Sequence, residues 1–202
     1  MSITTSSIIT TIRGLIDDLL QTDGASGFQY DSDNSFKLGK EHVVAASILV
    51  YQNGTLIPAT EYAYNADTNK VTITFVSSGY SLTKGDAILI TFNYYERFSD
   101  SELTSYIKSN LAEFTRRSYK KTFYMSSSDE VLTLNGENPT FKEGYLIALV
   151  TAIKIDPKNI KISTRDFTFT AEENKTPSEQ LDDLFMRFDL TLGILDFLDE
   201  EL

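Results

Sequence analysis

The chemistry open to this chain is narrow, because its 202 residues include a single histidine, His42, and no cysteine. Without cysteine there is no disulfide, no thiolate nucleophile and no zinc or iron–sulfur site held by sulfur. With one histidine, the nucleophile–base pairs common in hydrolases lack their base. The run Ser126-Ser127-Ser128 offers hydroxyls with no base beside them, and polar serine runs are turn formers, so it reads as a loop.

Carboxylates are more plentiful: Asp17-Asp18, Asp31 with Asp33, Asp182-Asp183 and Asp199-Glu200-Glu201. A glycosidase needs two of them converging on one bond. Neighbours on a helix diverge instead, so these pairs read as solvated acidic faces. Asp31-Ser32-Asp33-Asn34 opens like a calcium loop but lacks the glycine and the distal glutamate at the required offsets. Gly14, Gly24, Gly27 and Gly39 do not have the spacing of a phosphate loop between strand and helix. No catalytic residue, cofactor or metal ligand is assigned, and the expectation is a protein that is not an enzyme.

Two features point to contact with other molecules. Arg116, Arg117, Lys120 and Lys121 reverse the sign locally in a chain of net charge -11. Cations at a helix C-terminus complement the macrodipole, at about 0.3 to 1 kcal/mol each. Four within six residues exceed what a cap needs, so a contact with an acidic neighbouring subunit or with passing DNA stands beside the capping reading. The second feature is the apolar end of the chain, Ile194, Leu195, Phe197, Leu198 and Leu202, which reads as a segment that docks on a partner.

The elements that would position these groups come from periodicity. Ile8, Ile9, Ile12, Leu15, Ile16, Leu19 and Leu20 recur every three or four residues, predicting one amphipathic helix that stops between Gln21 and Gly27, where Asp23-Gly24 and Ser26-Gly27 are turn signals. Phe28 to Leu38 reads as a short hairpin. From Ile48 to Tyr95 the chain changes character, with short β-branched and aromatic segments punctuated by Asn53-Gly54, Asn69-Lys70 and Lys84-Gly85-Asp86. Asn53-Gly54 predicts a tight hairpin turn, and Ile88, Ile90 and Phe92 are predicted to face a core. Ser99-Asp100-Ser101-Glu102 then has the form of a capping box opening a helix to about Tyr119. Tyr145 to Ile155 is apolar on nearly all sides, predicting the most buried helix, and Pro157 ends it. Ile160 to Phe169 alternates as an arm or strand, and Thr176-Pro177-Ser178-Glu179 opens a last helix whose seam is Leu181, Phe185, Phe188, Leu192 and Leu195.

The fold expected is therefore α+β: a small helical bundle, made of an N-terminal helix and about three later helices, with an inserted antiparallel, sandwich-like β module. The boundaries read as 1–24, 25–97 and 98–202, the last with an extended arm and a C-terminal helix. A core is within reach, since 41% of residues are hydrophobic, including 13 Phe and 11 Tyr. The acidic balance disfavours tight wrapping of nucleic acid. Met1 to Ser7 lacks the character of a signal peptide and no apolar run reaches membrane length, so synthesis in the cytoplasm and no membrane partner are expected.

The stretch Val50-Tyr51-Gln52-Asn53-Gly54-Thr55-Leu56, then Tyr62-Ala63-Tyr64, Val71-Thr72-Ile73-Thr74-Phe75 and Gly85-Asp86-Ala87-Ile88-Leu89-Ile90 resembles a motif of virion proteins of tailed bacteriophages. With the helical remainder, the chain looks like the head–tail connector, or adaptor, family that sits under the portal. The resemblance implies a structural protein of the virion neck, assembled as a ring of about twelve copies. It also implies docking on the portal and on tail or neck proteins, and a channel passing double-stranded DNA without sequence-specific binding. A tail-completion or baseplate role is the nearest alternative. From another class, a carbohydrate- or receptor-binding module would use Tyr51, Tyr62, Tyr64 and Tyr80 to stack on sugars.

Overall fold

The computed structural model describes residues 2–75, 81–117, 121–157, 161–163, 168–170 and 175–190, with the backbone alone at 161–163, 168–170 and 187–190. The fold is α+β. The chain divides into two compact units, one made of residues 1–17 with 100–202 and the other of residues 18–99. The first is mainly helical and is assembled from both ends of the chain; the second is β.

The β unit holds two antiparallel sheets. One runs in the order β1 (Gln21–Gln29), β7 (Ala87–Tyr94), β3 (Leu49–Gln52), β4 (Thr55–Ile57), and the other β2 (Ser35–Lys37), β6 (Lys70–Ile73), β5 (Tyr62–Asn65). Alternation decides which face is dry: Ile88, Ile90, Phe92 and Tyr94 are buried while the residues between them are exposed or half-buried. Both sheets feed one core, with Val50, Ile57, Ile88 and Ile90 from the first and Phe36, Val71 and Ile73 from the second. Gly24 is required where β1 crosses Phe92, because a Cβ there would lie 2.5 Å from the Phe92 carbonyl oxygen.

Residues Gln21 to Gln29 depart from the sequence reading. The first helix, α1 (Thr5–Leu15), ends before them, and the supposed turn signals Asp23-Gly24 and Ser26-Gly27 lie inside a nine-residue strand. Leu19 and Leu20, predicted to sit on the helix's apolar face, are exposed. Nor do Phe28 to Leu38 form a hairpin: β1 pairs with β7 and β2 with β6, pairings about 60 and 35 residues away in sequence that local turn signals do not encode. The segment Val43 to Gln52 is strand only from Leu49, after a 3₁₀ turn at Ala45–Ser47.

In the helical unit, α1 packs with α2 (Asp100–Asn110) and with α4 (Phe141–Ile155). The N-cap of α1 is Thr4, whose hydroxyl accepts from the Ser7 amide at 3.3 Å. Glu130, remote in sequence, accepts from the Thr5 amide at 3.1 Å and its hydroxyl at 2.9 Å, placing a carboxylate at the positive end of the helix. Helix α4 is buried along Leu146, Ile147, Ala148, Leu149 and Val150, so its apolar surface runs nearly all round, as its composition predicts. It opens on a capping box, Thr140 with Glu143. The helix predicted from Ser99 to Tyr119 is two helices, α2 and α3 (Ala112–Arg116), separated at Leu111. Two strand pairs complete the unit: β8 (Phe123–Met125) with β9 (Val131–Thr133), and β10 (Lys161–Ser163) with β11 (Thr168–Thr170). The last helix, α5 (Pro177–Leu190), buries Leu181, Leu184 and Phe185 and packs on α4.

Candidate functional site

One residue of the cationic group, Arg117 at the end of α3, is drawn into an internal network. Arg117 has only 7% of its side chain exposed, forms ion pairs with Glu113 and, at 3.0 Å, with Asp182, and donates to the Ser178 carbonyl at 3.3 Å. Its guanidinium lies 5.6 Å from the centroid of Phe185, so one residue ties α3 to α5 by charge, hydrogen bond and ring contact. Glu113 also receives Lys154 Nζ at 2.9 Å and has Arg116 3.8 Å away. Burial alone would raise the Glu113 pKa, but the Lys154 hydrogen bond and the charges of Arg117, Lys154 and Arg116 hold it below the usual range.

The described members of the sequence-predicted cationic group therefore separate. Arg117 is withdrawn from any docking surface by burial, correcting its assignment as an outward contact. Arg116 is 65% exposed, and Lys121, 50% exposed, reaches Glu143 at 2.6 Å. Lys120 lies outside the described residues, as do Ile194, Leu195, Phe197, Leu198 and Leu202. Burial would raise the Glu143 pKa, yet Lys121 and the Thr140 amide and hydroxyl lower it. Sequence reasoning missed Glu113, Glu143 and Lys154, and read Asp182 as part of a solvated acidic face without its partner Arg117. The spacings of Glu113 to Arg116 and Arg117, three and four residues on a helix, were a legible signal for part of the network; the approach of Lys154 and Asp182 has no local signature.

A second polar node lies in the β unit, where the Asn53-Gly54 turn meets Gly85-Asp86. Asn53 and Gly54 both have positive φ, 50° and 82°, the geometry that fits a two-residue turn to twisted strands. The Asp86 carboxylate accepts from Gln52 Nε2 at 2.6 Å, Asn53 Nδ2 at 2.8 Å and the Thr83 amide at 2.8 Å, while Asn53 Oδ1 accepts from the Ala87 amide at 2.9 Å. These donors, the Thr83 amide foremost, lower the Asp86 pKa. The two dipeptides that stand out in the sequence are thus halves of one hydrogen-bonded knot, which sets the register of β3 against β7.

Of the remaining candidates, Asp199, Glu200 and Glu201 lie outside the described residues, and most of the others have partners within the fold. Ser126 Oγ accepts from the Glu130 amide at 3.0 Å and lies 3.0 Å from Ser128 Oγ in the loop between β8 and β9, as the loop reading predicts. Asp18 is buried and accepts from the Arg97 amide, Asp31 pairs with Lys84, Asp33 accepts from the Ser35 amide, and Asp183 pairs with Lys175. His42 has φ 51°, and its carbonyl accepts from the Tyr95 amide. Among the described residues no group of three or more His, Asp or Glu side chains could hold a metal ion, and no helix is long and apolar enough to cross a membrane.

Two of the four tyrosines proposed for sugar stacking are engaged within the fold. Tyr62 and Tyr64 are half-buried against the core, with hydroxyls donating to the Ile48 carbonyl at 2.7 Å and to Asn69 Oδ1 at 3.0 Å. Tyr80 lies outside the described residues. An open hollow of about 410 Å³ follows the outer face of α2, lined by Ser101, Glu102, Ser105, Tyr106 and Ser109. One helix face alone brings no opposing group to a substrate there. Comparison of the chain with protein-family models, with curated proteins and with solved structures gives no match.

Proposed function

We propose that this protein is a structural component of a tailed-bacteriophage virion, a head–tail connector that docks under the portal, assembles as a ring and leaves a channel for the genome. The observation that carries the reading is the interrupted architecture: a helical unit built from both chain ends, with a sandwich-like β unit of residues 18–99 between them. On this reading the helices make the ring contacts and the β unit meets neighbouring proteins of the head, neck or tail. Arg116, Lys120 and Lys121 are the cations left as outward contacts, and the segment from Ile194 to Leu202 docks on the portal. The work is done by binding and assembly, with no catalytic step and no cofactor.

Size-exclusion chromatography with light scattering tests this, on the chain alone and mixed with purified portal. Co-elution with the portal at a mass of many copies supports the connector role. A chain that stays monomeric and ignores the portal overturns it.

A further inference from the structure

We infer that β1 is a pairing edge for a second copy of this chain, joining two four-stranded sheets into one across an antiparallel β1–β1 contact. The inference stands on the β unit and does not depend on the connector reading.

β1 is the outer strand of its sheet, with β7 on one side only. The hydrogen-bond pattern tells which backbone groups face outward. Asn53 N donates to Ala87 O, so Ala87 turns toward β3, and Tyr30 exchanges bonds with the turn before β7 through Asp86 O and Gly85 N. By antiparallel alternation, Ser26 and Phe28, opposite Ile90 and Ile88, bond to β7, which leaves the amides and carbonyls of Ala25, Gly27 and Gln29 pointing away. Among the described residues no hydrogen bond joins those outward groups to any other element.

Exposed edges are ordinarily blunted by short strands, lysine or proline. The opposite edge follows that rule, since β4 has three residues and is followed by Pro58, which has no amide hydrogen. β1 has nine residues, no proline and no lysine, and its sequence QTDGASGFQ carries one charge, Asp23. A copy laid antiparallel with Ala25 opposite Gly27 aligns outward groups with outward groups. In that register Asp23 faces Gln29, avoiding like charges, and the bulky Phe28 lies beside Gly24 instead of another Phe28. Gly27 stands next to Leu89 in the sheet and leaves that leucine 44% exposed, so apolar surface borders the edge.

Size sets the strength. A strand of this length offers an edge of ~30 Å by ~10 Å, about 300 Å², against the roughly 800 Å² per partner of a stable interface. The contact is therefore a weak dimer that fills at high protein concentration.

Sedimentation velocity and hydrogen–deuterium exchange on the full chain, up to about 1 mM, test it. The wild-type sedimentation coefficient should rise with concentration while the amides of Ala25, Gly27 and Gln29 slow in parallel. Because Gly27 has open space where a Cβ would be, the double variant A25K/G27K should keep its thermal midpoint and lose association at least about tenfold. The variant A25P, which removes an amide hydrogen that β7 does not use, should act in the same direction. Wild-type chain monomeric throughout the range, or association that survives both variants with the β1 amides in fast exchange, overturns the inference. The latter outcome places self-contact elsewhere in the chain.

Discussion

Glu113 in the helical unit and Asp86 in the β unit are both carboxylates held below their usual range, and they are held there by opposite means. Glu113 is largely buried and is stabilised by three cations, Arg116, Arg117 and Lys154, against a burial penalty acting the other way. Asp86 is at the surface and relies on neutral donors, the Thr83 amide and the side-chain amides of Asn53 and Gln52. The difference follows from the architecture around each. Helices leave few free amides along their length, so a buried acid between them needs cationic side chains. A strand turn has spare amides at hand, so an acid there needs no cation.

That contrast can be broken from either side. The largest effect is expected at Arg117: Arg117→Ala leaves Glu113 and Asp182 short of a partner and should cost roughly 3 kcal/mol in urea unfolding. Arg117→Lys should recover little of it, because a single ammonium cannot reproduce the forked contacts to Glu113, Asp182 and Ser178. Next is Gly24→Val in the β unit, where overpacking against Phe92 should cost about 2 kcal/mol and lower the thermal midpoint. Gly54→Val forces a branched side chain into φ +82° and should cost about 1 to 2 kcal/mol while freeing the turn, which faster exchange of the Ala87 amide would reveal. Thr140→Ala removes half of the α4 capping box, for about 1 kcal/mol.

The smallest and most diagnostic effect is on the acid limb of stability. Glu113 and Glu143 have folded pKa values below their ordinary 4.5, so the unfolded chain binds protons more readily. Their contribution is fully present above 4.5 and is lost as pH falls through the lowered folded values. Glu143→Gln should flatten that slope, and added salt should weaken the Lys121–Glu143 part of it. A slope unchanged by the substitution would assign the acid sensitivity to other carboxylates.

Much of the β unit, and helix α4 in the helical unit, was legible because the signals are short-range. Asn53-Gly54, the alternation of Ile88, Ile90 and Phe92, and the apolar run into α4 each depend on residues within one turn or strand. β1 was not legible: Gly24, Ala25, Ser26 and Gly27 have weak strand preference and two apparent turn signals, and only the partner β7 makes them a strand. The break at Leu111, between α2 and α3, has no glycine or proline to announce it. For the cationic group, the sequence showed the reversal of sign but not which charge is buried. Arg116 and Arg117 are neighbours, and a rotation of one position along the helix separates an exposed guanidinium from one enclosed by Glu113, Asp182 and Phe185.

By composition and local order alone, this chain had to be a mixed α and β protein without thiol chemistry, with a tight turn at Asn53-Gly54 and a largely apolar helix near Tyr145 to Ile155. These properties are carried by residue type and by spacings of two to four positions. Only the tertiary structure decided that Asn53 and Asp86 form one knot, that Glu130 caps α1, that Arg117 faces inward and that β1 is the outer strand of its sheet. Each depends on bringing together segments tens of residues apart, where burial and hydrogen-bond geometry select among pairings that the local sequence leaves equally available.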